Sequence, residues 1–190
     1  MPSPIGHAIA GVAAAWAADL IPGNRAWRTA PPTAAWYRRA GNGLTATCAA
    51  LAVAPDLDLA FSEYHRSITH SFTAVAVVGL IAAVVAARMR RPIARVAGMC
   101  AAAWATHLLL DWLGVDRLYF PYGVQLLWPF DKTWFISGLD IFAGTERHNI
   151  LGAAAIRQNA AAIGQEIVIL LPIALAMWLI RVKALAGRVP

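Results

Sequence analysis

IGQEIVILLPIALAMWLI, residues 163–180, runs for eighteen residues with one charge, close to its start. A helix needs about 20 apolar residues to cross a hydrocarbon core of about 30 Å, so this segment reads as a membrane span. ITHSFTAVAVVGLIAAVVAA, residues 68–87, reads the same way, because its centre is uncharged and its length fits. Three further apolar runs cover residues 5–21, 44–61 and 93–113. The runs at 5–21 and 44–61 are short and alanine-rich, and buried core helices or re-entrant segments are their alternative. The expected architecture is an all-α, polytopic membrane helix bundle of about five spans, forming one membrane-embedded domain over residues 1–190. An irregular and partly helical cap over residues 114–162 is expected on its non-cytoplasmic side.

The composition supports that reading. The 190 residues are 59% apolar and 14% charged, against about 45–50% and about 25% in soluble domains, which excludes disorder. A net charge of +6 would suggest nucleic acid as the partner of a soluble chain, but here the charges are distributed by loop. Arg25, Arg28, Arg38 and Arg39 follow the first run; Arg88, Arg90, Arg91 and Arg95 follow the third; Arg181, Lys183 and Arg188 follow the fifth. Eleven of the 16 basic residues therefore fall on alternate connections, and the positive-inside rule makes that side cytoplasmic. The N-terminus, the loop at 62–67 and the segment 114–162 then face outward, with the lipid bilayer as partner and no nucleic acid expected. Residues 1–7 contain no Lys or Arg, which argues against a cleaved signal peptide. Cys48 and Cys100 lie inside apolar runs, so neither a disulfide framework nor a CxxC metal motif is available. In the cap, LYFPYGVQLLWPF and TWFISGLDIF concentrate the aromatic rings that suit a lipid–water boundary.

Ionisable groups in or beside spans are costly, and each is a functional candidate by default. They are His7, Asp19, Asp56, Asp58, His65, Arg66, His70, His107, Asp111 and Glu166. The arginine-based topology puts all but Asp19 at the outward side, so segments distant in sequence converge at one depth. Imidazole nitrogen and carboxylate oxygen suit zinc, iron, nickel or manganese. His107 and Asp111, four apart, share one helix face. PDLDLAFSEYHRSITH brings two carboxylates and two histidines around a helix-turn-helix, with Ser67 or Thr69 expected to cap the third span. Each group alone has a plainer reading: an interfacial histidine for His7, a cap or a pair with Arg117 for Asp111, a turn residue for Asp56 after Pro55, an interfacial cation for Arg66.

PSPIGHAIAG, APDLDLAF, HRSITHSF, THLLLDW and YGVQLLWPF, in this order over about residues 2–130, resemble the successive motifs of the YdjM-like family of bacterial membrane-bound metal-dependent hydrolases, also called LexA-binding, inner membrane-associated hydrolases. The resemblance implies an inner membrane location and a metal-binding set of His7, Asp56, Asp58, His65, His70, His107 and Asp111. It gives no role to His148 or Glu166. A more distant similarity to the zinc-dependent phospholipase C and P1 nuclease group, carried by His7, Asp56, His70, His107 and Asp111, implies phosphoester chemistry.

The expected function is hydrolysis of an ester or phosphoester in an amphiphilic or lipid-linked substrate, assisted by one or two divalent metal ions, with zinc expected. Asp58 is the expected general base or second-ion ligand, and Arg66 the partner of an anionic substrate oxygen. Metal or proton transport and a structural metal in a non-catalytic protein are the alternatives; seven ligands exceed the four of a closed zinc site.

Overall fold

Proline and polar caps set the helix boundaries. The computed structural model describes residues 1–18, 20, 40–60, 65–115, 117, 120–147 and 149–186. Helix α1 spans Pro4–Ala18; proline suits a first turn because its missing N–H has no partner there anyway. Asn42 caps α2, Gly43–Val53, by accepting from Leu44 N and Thr45 N at 3.0 and 3.1 Å. Pro55 cannot continue a regular helix, and residues Ala54–Ala60 tighten into a 3-10 helix that carries Asp56 and Asp58. Helix α3 is Phe72–Arg88, α4 is Ile93–Leu113 and α5 is Ala153–Ala186.

The all-helical expectation holds: five helices and no strand occur among the described residues. Three apolar segments are long enough to cross a membrane, Gly43–Ala60, Ile93–Leu113 and Ala153–Lys183, while α1 and α3 are shorter apolar helices. Two helix starts differ from the sequence reading by more than one residue. The third helix starts at Phe72 rather than 68, because Ser71, not Ser67 or Thr69, caps it by accepting from Ala74 N at 3.1 Å. The fifth starts at Ala153 rather than 163, so Glu166 lies thirteen residues inside it instead of opening it.

Helix α1 packs on α2, α4 and α5, and α3 packs on α4. Small residues allow this close approach, as they do between membrane helices. A Cβ on Gly11 would stand 2.6 Å from both the Ala52 Cβ and the Cys48 carbonyl oxygen. Ala15, Cys48, Met99 and Ala103 form one buried cluster, and Ala10, Leu110, Phe142 and Leu170 another. On the outside, Leu80 and Ile81 of α3 and Val168 and Ile173 of α5 are more than half exposed. Such a surface suits a hydrocarbon solvent.

Among the described residues of 114–152 the cap has no helix and only isolated pairings, Gly114 with Phe142 and Val124 with Phe135. Its helical part, from Ala153, belongs to α5. Gly123 has φ +96°, and a Cβ there would lie 2.4 Å from the Phe135 carbonyl oxygen, so glycine alone fits the turn. Three side-chain amides of α5 hold segment 141–146. Gln165 Nε2 donates to Ile141 O at 3.1 Å and its Oε1 accepts from Ala143 N at 2.8 Å. Gln158 donates to Gly144 O, and Asn159 both accepts from Glu146 N and donates to Glu146 O.

Candidate metal centre

The start of α1, the 3-10 extension of α2, the turn before α3 and the end of α4 meet at one end of the bundle. His107 and Asp111, one turn apart on α4, project together as their spacing requires, with Nε2 and Oδ2 3.3 Å apart. His107 Nδ1 donates to the Ala52 carbonyl at 2.8 Å, which leaves the Nε2 lone pair of the neutral ring facing inward. His70 Nε2 lies 3.0 Å from that same nitrogen and 3.3 Å from Asp111 Oδ2. Asp56 Oδ1 completes the group at 3.4 Å from His107 and 3.6 Å from His70. His7 stacks on His107 with centroids 3.8 Å apart and sets its Nε2 3.4 Å from Asp111 Oδ1.

These separations fit a cation. Bonds of about 2.0–2.1 Å in tetrahedral array put neighbouring donor atoms about 3.3–3.4 Å apart. The measured values among His70, His107, Asp56 and Asp111 run from 3.0 to 3.6 Å. Both Asp111 oxygens, Asp56 Oδ1 and both His7 ring nitrogens are buried and make no hydrogen bond. Buried carboxylate oxygens left that way are expensive unless a positive centre satisfies them. Two groups among the described residues could hold a metal ion: Asp56, His70, His107 and Asp111, and Asp58, His65 and His70.

The second group is bonded differently. Asp58 Oδ1 contacts His65 Nδ1 at 2.5 Å, while Oδ2 accepts from Thr69 Oγ1 at 2.5 Å and lies 3.5 Å from His70 Nδ1. Thr69 Oγ1 also lies 2.8 Å from His70 Nδ1. Asp58 thus touches the far side of the ring whose Nε2 faces the first group. Burial alone would lower the His70 pKa, but the carboxylates of Asp111, Asp56 and Asp58 outweigh it and hold the ring well above its ordinary range, so a cation bound at Nε2 would have to displace a proton. Burial lowers the pKa of His65, with Asp58 opposing.

The cap holds this turn in place. Gln125 N donates to Arg66 O at 3.0 Å, Phe72 N donates to Leu126 O at 2.9 Å, and Thr73 Oγ1 donates to Trp128 O at 2.7 Å. The YGVQLLWPF stretch is therefore a brace for HRSITHSF. Arg66 itself is 2% exposed and has φ +69°, a left-handed backbone that costs a non-glycine residue about 1–2 kcal/mol.

A family model described as YdjM inner membrane protein matches residues 1–186. The chain belongs to the YdjM inner membrane protein family. The match reaches well beyond residue 130, where the motifs quoted above end, and takes in the cap and α5. Comparison with curated proteins and with solved structures gave no match. As a YdjM family member with three helices able to cross a membrane, the chain lies in a lipid bilayer.

All seven expected ligands and Arg66 gather in this region. Asp19 and His148 lie outside the described residues. Asp111 does not pair with Arg117, whose Nη2 is 3.2 Å from Asp140. Cys48 and Cys100 are free and buried. Sequence reasoning gave no role to Glu166, which is fully buried and holds the start of α1. It accepts from Ser3 N at 2.7 Å and from Ser3 Oγ, and Ser3 Oγ in turn accepts from Gly6 N. The only sequence signal was a lone carboxylate inside an apolar run.

Proposed function

We propose that this protein is a multi-pass, metal-dependent hydrolase of the inner membrane whose centre is His70, His107, Asp56 and Asp111, with His7 beside Asp111. The observation that carries the reading is the approach of His70 Nε2 and His107 Nε2 to 3.0 Å across buried carboxylates that make no hydrogen bond. A cation of the zinc class, bound there, supplies Lewis acidity toward water and an ester or phosphoester oxygen.

A neutral imidazole offers one lone pair, so His70 serves the first group through Nε2 or the second through Nδ1. That favours one ion over two. The bonds of Asp58 support a positioning role: with Thr69 and His65 it fixes the ring of His70, as carboxylates behind metal-bound histidines do. Asp56 is the carboxylate with an approach from outside, its side chain 14% exposed against 0–1% for the His7, His70, His107 and Asp111 side chains. Substrate is therefore expected to arrive on the Asp56 side, at the periplasmic end if the arginine distribution sets orientation.

Elemental analysis of detergent-purified protein tests the centre. One divalent ion per chain is expected in wild type and none in a His70→Ala, Asp111→Ala variant. Loss of ester or phosphoester hydrolysis in His107→Ala, with helical content unchanged, is the expected companion result. Folded wild type free of metal after purification without chelator would overturn the reading.

A further inference from the structure

A groove of about 770 Å³ lies between α2 and α3, within the range of a small-molecule site of about 300–1,000 Å³. It is lined by the first half of α2, the second half of α3 and the first half of α4, so it sits at the end of the bundle away from the metal centre. Leu44 and Leu51 of α2 form one wall, Val78, Ile81 and Val85 of α3 the other, with Cys100 of α4 between them. Both walls pack on α4. Ile81 and Val85 are 58% and 46% exposed, so the groove is open to whatever surrounds the helices. In a bilayer that is hydrocarbon.

Length and charge select the occupant. From Val78 to Met89 the chain rises about 16 Å, close to one leaflet of a hydrocarbon core of about 30 Å. An acyl chain entering from the nearer membrane surface would therefore fill the groove without passing the midplane. Among the described residues the charged member of the lining is Arg91, at the end where α3 has stopped. Arg88 and Arg90, both exposed, flank Met89 at the same end. No Asp or Glu occurs in residues 20–55 or 64–110, which include every wall of the groove. The field of such a cluster reaches about 8–10 Å whatever carbonyls its guanidiniums also touch, and basic clusters at the ends of membrane helices attract anionic headgroups. A second copy of this chain would instead bring its own arginines against them.

We propose that the groove binds one anionic phospholipid, with an acyl chain along Val78–Val85 against Leu51 and Cys100 and the phosphate at the arginine end beside Arg88 and Arg90. The site shares no residue with the metal centre and does not depend on hydrolysis.

The test is native mass spectrometry of the full chain in dodecyl maltoside micelles, titrated with dioleoyl phosphatidylglycerol and, separately, with dioleoyl phosphatidylcholine. One phosphatidylglycerol per chain is expected, retained when phosphatidylcholine is added at equal concentration. An Arg88→Gln, Arg90→Gln variant should weaken phosphatidylglycerol binding about thirtyfold, the loss of two surface charges, and leave phosphatidylcholine binding unchanged. Ala82→Phe, which puts a ring into the groove, should abolish the bound lipid with helical content unchanged. Should that variant misfold, wild type decides the location: phosphatidylglycerol with a diazirine in its acyl chain should crosslink to residues 44–51 and 78–86. Equal binding of the two lipids, a graded lipid series without a one-per-chain species, undiminished binding in folded Ala82→Phe, crosslinks confined to other segments, or a dimer that takes up no lipid would each overturn the proposal.

Discussion

Gly11→Ala tests the packing that sets the centre. The new Cβ would lie 2.6 Å from Ala52 Cβ and from Cys48 O, and ordinary contact begins near 3.4 Å, so α1 and α2 must part by about 0.8 Å. Neither neighbour is a flexible side-chain end, so the strain cannot be relieved by a rotamer change. Overpacking of this kind costs about 1–3 kcal/mol, partly offset by about 0.5–1 kcal/mol of better helix propensity. Taking the middle of both ranges leaves about 1.3 kcal/mol, and at about 2–4 °C per kcal/mol for a chain of this size the melting temperature in detergent should fall by roughly 3–5 °C. The displaced Ala52 carbonyl is also the acceptor that fixes His107 Nδ1, so metal retention through dialysis should fall with it. Gly164→Ala is the control, because nothing lies within 4 Å of its Cβ; its melting temperature should hold or rise. If Gly11→Ala melts at or above wild type and keeps its metal, the close α1–α2 contact is refuted as a determinant of the site.

The Ser3 to Glu166 clamp should appear in a double-mutant cycle: Ser3→Ala and Glu166→Ala each cost about 1.5–3 kcal/mol, and together little more than the larger of the two. Additive losses in thermal melts would contradict it. Asp58→Asn should lower metal affinity about 10–100-fold while stoichiometry at saturation is kept, whereas Asp111→Ala should abolish binding; isothermal titration with zinc separates the two. Cys48 and Cys100, 0% and 3% exposed, should resist maleimide in the folded protein and label only after denaturation, and rapid labelling without denaturant would contradict the α2–α4 packing.

The helices were legible as apolar runs, and the run at 93–113 matches α4 to the residue, although α1 and α3 are shorter than a bilayer crossing requires. Boundaries set by side-chain hydrogen bonding were less so: Ser67, Thr69 and Ser71 are equivalent as letters, and only the backbone of the turn decides that Ser71 caps. That the histidines and aspartates share one end was an expectation from the apolar runs, since groups at like-facing ends of successive runs lie at one depth; their approach to within 3.0–3.6 Å is visible only in the structure. What could not be read was the division between the two faces of His70, because it depends on which ring nitrogen each carboxylate reaches. The brace at Gln125 was hidden for another reason: its N–H reaches the Arg66 carbonyl, far from it in sequence, with no periodicity to point there.

The three carboxamides of α5 behave as a borrowed strand, presenting donors and acceptors to segment 141–146 as a neighbouring β-strand would. Their spacing is helical, Gln158 and Gln165 being two turns apart on one face. Adding one residue between them would swing one half of the template by about 100°. The cap's register is therefore written in the length of α5, and this part of the helix should tolerate substitution on its outer face far better than any insertion or deletion.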